Sequence, residues 1–429
     1  MDPSHRVALL TALAVLGAGG AWAAAPAGAP APASAPATVP VPAQLPGYSY
    51  LTGSMGAAPP GRVLALYQQG LGVEFMDVPQ ALTVGADGAS ARRAGTALDR
   101  GAPDTQGDAA PMALSGDGST IAVGDWSTST PDASPAGGPG RADVALVDAA
   151  TGDVRTLALP DARAVLPLAW SPDARRLAYL SPTEAADPFA SPTDPAGDLL
   201  VLDVGSGRAR PVPGVDDAVS AAFSPDGRLL AVQRSGGAVE VRAGDGTLRR
   251  TLVPPRAGDV LAAGAAFSPD GRLLGLQRGG EVVFLPVADD PAVAVPAPVA
   301  GDALLAWRSP GEVLVQDRGA SSSATSTDFT VSSVELATGS ARAFTRVPTA
   351  GGNYAVTRFE LATGLVQGAR WTAAVPRPDR GRPAAVLRAG GVLLAAAAAA
   401  LVAQRLTRRR SARRVPAPAA RPAPRPVPG

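Results

Sequence analysis

The segment Ala221-Ala222-Phe223-Ser224-Pro225-Asp226-Gly227-Arg228-Leu229-Leu230 returns almost unchanged as Ala265-Ala266-Phe267-Ser268-Pro269-Asp270-Gly271-Arg272-Leu273-Leu274. A third copy reads Leu168-Ala169-Trp170-Ser171-Pro172-Asp173-Ala174-Arg175-Arg176-Leu177. Weaker copies are Met112-Ala113-Leu114-Ser115-Gly116-Asp117-Gly118 and Leu305-Ala306-Trp307-Arg308-Ser309-Pro310-Gly311. The most degenerate is Ala58-Pro59-Pro60-Gly61-Arg62-Val63-Leu64. The fourth turn residue falls at 61, 118, 174, 227, 271 and 311, at intervals of 57, 56, 53, 44 and 40. That period is the size of one four-stranded propeller blade with variable loops.

Turn chemistry supports the same reading. Pro presets the backbone at the second turn position, Asp tolerates the third, and Gly supplies the positive φ that ends it. Apolar strand formers follow, as in Leu229-Leu230-Ala231-Val232 and Leu177-Ala178-Tyr179-Leu180. A third strand comes next, for example Val144-Ala145-Leu146-Val147 or Val282-Val283-Phe284-Leu285. A second turn such as Gly244-Asp245-Gly246 leads to a short fourth strand that carries arginine, as in Leu248-Arg249-Arg250-Thr251-Leu252. Leu114, Trp170, Phe223, Phe267 and Trp307 recur once per unit, which reads as core between neighbouring sheets. Asp226 and Asp270 recur in a turn that favours Asp, so they read as turn residues before metal ligands.

The Ala-Trp/Phe-Ser-Pro-Asp-Gly motif and its apolar strand resemble the repeat of the TolB-like, WD-repeat-like bacterial β-propeller family. The resemblance covers roughly residues 47–347. It implies an exported propeller that binds proteins. The Trp-Asp and Gly-His dipeptides of eukaryotic WD repeats are missing. Six repeat signals predict an all-β, six-bladed propeller. Seven blades is the alternative, because Tyr354 to Trp371 holds a further hairpin pattern that repeats Glu-Leu-Ala-Thr-Gly of 335–339 at 360–364.

The flanks predict further domains. Arg6, the apolar run Val7–Leu16 and Ala21-Trp22-Ala23 fit a cleavable signal peptide over 1–25. Residues 26–46 are mostly Ala, Pro and small residues and read as a linker. The propeller is expected over 47–347, and an extra hairpin or partial blade with a juxtamembrane stalk over 348–383. A C-terminal transmembrane helix is expected over 384–404, with Arg388, Arg405, Arg408, Arg409 and Arg410 on its flanks. An Arg/Pro-rich cytoplasmic tail completes the chain over 405–429. On this reading the propeller is extracytoplasmic, on the cell membrane.

Composition narrows the chemistry. There is no Cys, and the only His is His5, inside the leader. Thiolate zinc sites, cysteine nucleophiles and Ser-His-Asp triads are therefore excluded from the mature chain. All 38 residues counted as Lys+Arg are Arg, which excludes a Walker-type phosphate loop. The paired carboxylates Asp216-Asp217 and Asp289-Asp290 lack calcium-loop spacing. No catalytic residue, metal or cofactor is expected.

The net charge of +1 is a cancellation. Residues 24–369 hold 24 Arg against 35 Asp and Glu, for −11, whereas 370–429 hold 13 Arg against one Asp, for +12. The basic excess reads as a topology signal and not as nucleic-acid binding. Insertions at 127–141, 181–197 and 319–328 are candidate binding loops, with Trp126 and Phe189 as candidate contacts. The expected function is protein binding or scaffolding at the cell envelope, with a cell-envelope protein or glycan as partner and the bilayer contacted through the C-terminal helix. The alternatives are a carboxylate- or Ca-dependent hydrolase (lactonase or glycosidase type) in the propeller channel, and a sensor signalling through the basic tail.

Overall fold

The computed structural model describes residues 38–47, 49, 51–69, 80–100, 110–125, 142–160, 163–182, 196–318, 329–348, 356–373 and 382–412. The chain divides into two units, Met1–Thr38 and Val39–Gly429. The second unit is a six-bladed β-propeller. Blades two to four and six are four-stranded antiparallel sheets whose strands lie side by side in chain order. Blade two runs Met112–Leu114, Thr120–Val123, Asp143–Asp148 and Val154–Ala158. Blade three runs Leu166–Trp170, Arg176–Ser181, Asp198–Asp203 and Arg208–Pro211. Blade four runs Ala218–Phe223, Leu229–Arg234, Val239–Ala243 and Leu248–Leu252. Blade five has the same order over Val260–Leu261, Leu273–Arg278, Glu281–Pro286 and Val299–Ala300, and blade six over Ala303–Ser309, Glu312–Arg318, Phe329–Glu335 and Ala341–Val347.

Burial shows which way each blade points. First strands are buried almost throughout, as in Ala218–Phe223, and they contact the first strands of neighbouring blades. Fourth strands such as Val154–Ala158 and Arg208–Pro211 are largely exposed. The first strands therefore ring the axis and the fourth form the outer edge. That explains why the exposed fourth strands carry arginine: Arg155, Arg208 and Arg210 stand in water.

The repeated turn forms one small hydrogen-bonded device. Ser224 Oγ donates to Asp226 Oδ1 at 2.6 Å and accepts from Leu229 N at 2.9 Å. Gly227 N then donates to Ser224 O at 2.8 Å, and Asp226 Oδ1 accepts from Arg228 N at 3.0 Å. Ser171 and Asp173 repeat the arrangement in blade three, and Ser268 and Asp270 in blade five. The Ser224 hydroxyl and the Arg228 amide hold the Asp226 carboxyl below its usual range. The last turn residue has positive φ at Gly118, Gly227 and Gly271, and also at Ala174, at 54°. Gly118 is needed twice over, because a Cβ there would run into the carbonyl of Val63.

Blade one differs. Its sheet is ordered Thr357–Leu361, Val63–Gln69, Gln80–Gly85, Ala91–Arg93, Gly53–Ser54 from the axis outward. The innermost strand comes from the C-terminal part of the chain and closes the ring. Residues 354–371 therefore supply the missing inner strand of the first blade, and the seven-bladed alternative falls. The Glu-Leu-Ala-Thr-Gly repeat is deceptive. At 335–339 it ends a third strand, whereas at 360–364 it ends the closing strand and enters the short helix Thr363–Val366.

A second closure lies at the edge. Pro40–Pro42, inside the stretch read as a linker, pairs in parallel with Arg370–Thr372. Leu45 N donates to Arg346 O at 2.8 Å, so the segment also borders the outer strand of blade six. Val41 and Leu45 are buried there.

The expected transmembrane helix over 384–404 is not found. The helix Arg382–Ala412 forms, but among the described residues no helix is long and apolar enough to cross a membrane. The physical reason lies in its composition. Arg388 interrupts it, and the uncharged run from Ala389 to Ala403 would reach only about 22 Å against a hydrocarbon core of about 30 Å. Two Gly and a run of six Ala dilute it further. Val392, Leu393, Leu394, Leu401 and Val402 stand exposed on it. Arg405 is exposed, and the side chains of Arg388, Arg408, Arg409 and Arg410 lie outside the described residues. The leader 1–25 and the tail beyond 412 also lie outside them.

Candidate functional site

Two places interrupt the regularity of the ring: one rim and one contact between blades. The rim follows from topology. In every blade the second strand runs away from the repeated turn, so all connections from second to third strand leave the opposite rim. Four are long. Ten residues separate Val63–Gln69 from Gln80–Gly85, and nineteen separate Thr120–Val123 from Asp143–Asp148. Sixteen lie between Arg176–Ser181 and Asp198–Asp203, and ten between Glu312–Arg318 and Phe329–Glu335. Blades four and five turn back tightly, blade five with only Gly279-Gly280 between its strands. Trp126 and Phe189 lie outside the described residues, but the strands that carry their loops both end at this rim.

Beneath the rim, polar groups stitch adjacent blades together. Gln233 Nε2 donates to Asp259 O at 2.6 Å, and its Oε1 accepts from Leu261 N at 2.7 Å. One side chain thus continues backbone pairing from blade four into blade five. Ser220 Oγ donates to Leu261 O at 2.8 Å beside it. Asp259 is buried and takes two hydrogen bonds from Arg278, at 2.6 and 2.7 Å. That pairing holds the Asp259 carboxyl below its usual range. Sequence reasoning passed over Gln233, although Gln68, Gln277 and Gln316 occupy the matching register.

The paired carboxylates do not form a site. Arg234 engages both Asp216 and Asp217. Arg250 meets Asp289, and Arg272 meets Asp290 at 3.6 Å. Among the described residues no group of three or more His, Cys, Asp or Glu could hold a metal ion.

The irregular contact lies between blades one and two. Elsewhere each interface sets an alanine of one blade against the large residue of the next. Trp170 Nε1 donates to Ala113 O at 2.9 Å, and Trp307 Nε1 to Ala265 O at 3.1 Å. Ala169 shares a core cluster with Phe223, Ala222 with Phe267, and Ala306 with Leu361. Blade one puts Glu360 where the other five have Ala113, Ala169, Ala222, Ala266 and Ala306. Blade two answers with Leu114 in place of an aromatic, which leaves room for the longer side chain.

Glu360 Oε2 accepts from Leu114 N at 2.6 Å. Ser115 N already pairs with Thr120 O, and Gly124 N with Pro111 O. By antiparallel alternation the Leu114 amide points to the free edge of its sheet, toward the axis. Enclosure pushes the Glu360 carboxyl up to about 7 against the opposing effects of the Leu114 amide and the Arg358 charge. Arg358, with φ of 50°, sits in the bulge of the same strand. Phe359 packs against Phe329 and Tyr67. The Tyr67 hydroxyl donates to Pro46 O at 2.5 Å, and burial raises this phenol far above its usual range.

No family model matches this chain. No curated protein matches it either. Among solved structures it is similar to TolB from Acinetobacter baumannii, at 14% identity over 70% of this chain and 67% of that one, with a TM-score of 0.48. Hydrazine synthase of Kuenenia stuttgartiensis matches at 19% identity over 55% of this chain and 65% of that one, TM-score 0.36. A chain of a nidogen/laminin complex matches at 12% identity over 70% of this chain and 99% of that one, TM-score 0.41.

Proposed function

We propose that this chain is an exported β-propeller that binds another protein of the cell envelope through its long-loop rim. The observation that supports the reading is the concentration of the long connections on one rim. Four second-to-third-strand connections of ten residues or more leave one rim, while the opposite rim keeps the compact repeated turns and has one longer connection, the twelve residues between Glu281–Pro286 and Val299–Ala300. A rigid ring presenting long loops on one side is suited to recognition, because the scaffold holds the loop ends while the loops vary. Export rests on the leader pattern at 1–25.

The test is capture from intact cells by in-cell crosslinking. One chain is native. In the other, residues 126–141 and 183–195 are each replaced by Gly-Gly, copying the turn Gly279-Gly280. The expected outcome is loss of a captured partner with an unchanged unfolding midpoint. Capture of the same proteins by both chains overturns the reading of the rim.

A further inference from the structure

The repeat itself identifies Glu360 as a departure. Five blades place a buried alanine at this register and one places a carboxylic acid. The departure falls on the strand that has no covalent link to the rest of its own blade. Thr357–Leu361 joins Val63–Gln69 by backbone pairing with a register shift. It reaches blade two through Glu360 on Leu114 N, and just beyond it Gly364 N donates to Gly116 O at 2.8 Å.

We propose that the contact between blades one and two is a protonation-controlled latch: neutral Glu360 keeps the closing strand seated, and ionised Glu360 lets it open. Glu360 faces blade two among apolar groups: Leu114 across the contact and Leu66, its cross-strand partner, are buried in one cluster. Glu360 is half-buried there, so a neutral carboxyl fits at small cost, whereas a carboxylate has given up part of its water for one amide donor.

Among the described residues few charged groups lie near Glu360. Arg358 on the same strand is the one that acts on Glu360. The inner strand Met112–Leu114 of blade two and the strand Val63–Gln69 of blade one carry none. Asp117, in the following turn, is engaged by Ser115 and Ser119, and its carbonyl by Arg62. On the blade-six side, Arg308 is paired with Glu312 and with Ala369 O.

The sign follows from linkage. An open strand returns Glu360 to its ordinary value near 4.5, while the seated strand holds it near 7. The seated form therefore binds the proton more tightly. Its advantage is complete below about pH 4.5 and is lost as pH rises through about 7. Between pH 5 and pH 8 the opening equilibrium increases by up to about 70-fold, less in proportion to the residual exposure of the side chain.

Hydrogen exchange on the full chain tests this, with protection corrected for the intrinsic pH dependence of exchange. Protection of the Leu114, Ala362 and Gly364 amides is expected to fall tens of fold between pH 5 and pH 8. The Gly275 amide, bonded to Ala266 O within blade five, serves as control and holds steady. Glu360→Gln, a neutral side chain of the same shape, abolishes the fall. Unchanging protection at Leu114 in the native chain, or the same fall in Glu360→Gln, overturns the proposal. If Glu360→Gln does not fold, the pair Glu360→Ala with Leu114→Phe restores the arrangement of the other interfaces and must likewise show no fall.

Discussion

The contact between blades four and five and the contact between blades one and two use the same two backbone positions. In the first, Ala222 meets Phe267, and Gln233 and Asp259 complete the polar stitching above them. There Gln233 uses both ends of its amide, and the two hydrogen bonds from Arg278 hold the Asp259 carboxyl below its usual range. In the second, Glu360 meets Leu114, and the strand that carries the acid has come from the far end of the fold. The ordinary interface shows what is needed to hold two blades together. The other spends some of that stability on a group whose charge depends on the medium.

The strongest test of the ordinary interface is Trp307→Ala. It deletes the large residue set against Ala265 and Ala266 and strands the Ala265 carbonyl. A loss of about 4 kcal/mol is expected from urea unfolding. Loss below about 1 kcal/mol would show that aromatic packing is not what holds regular blades together. Next comes Ala222→Glu, which puts the seam's acid into a slot still filled by Phe267. Overpacking and burial of a charge should cost about 3 kcal/mol at pH 8. If it is tolerated as readily as Glu360, the volume exchange with Leu114 has no bearing on the seam.

A smaller effect, of opposite sign, is expected at Ala174→Gly. This turn position holds Gly in its neighbours and has φ of 54° here, so relief of strain should stabilise by about 1 kcal/mol. Thermal unfolding at pH 7 measures it. The smallest difference concerns acid. The Asp226 carboxyl lies below its usual range, so its contribution is present above the unfolded value near 3.8 and disappears as pH falls. Asp226→Asn should be slightly less stable than the native chain at pH 7, with the difference shrinking as pH falls below the unfolded value. The turns thus weaken toward acid and the seam toward base. A chain whose seam weakened toward acid as well would erase that contrast.

Much of this was legible in the residues. Pro, Asp and Gly at fixed offsets gave the turns, and one large apolar residue per unit gave the interfaces. Six signals gave six blades because each complete blade is local in sequence. Blade one was harder, since its inner strand lies some 290 residues beyond the strand it pairs with. Local pattern cannot show such a pairing, so 354–371 looked like the start of a seventh blade.

Glu360 escaped notice for the same reason. Its significance appears only when it is set in register with Ala222 and Ala266, and that register is a property of the closed sheet. The membrane reading failed on different ground. A run of alanine looks apolar when counted by residue, yet each alanine contributes little transfer free energy, and two glycines and Arg388 dilute the stretch further.

The origin of the closing strand also sets a clock during synthesis. Blades two to six each emerge from the ribosome with all their strands in sequence. Val63–Gln69 emerges early and must wait for Thr357–Leu361, about 15 to 60 s at ordinary elongation rates of about 5–20 residues per second. Throughout that interval the first blade offers an unpaired edge to whatever extended segment is nearby, including the same blade of a chain on the next ribosome. Crowded translation, more than heat or denaturant, is then the condition under which this ring is most exposed to mispairing.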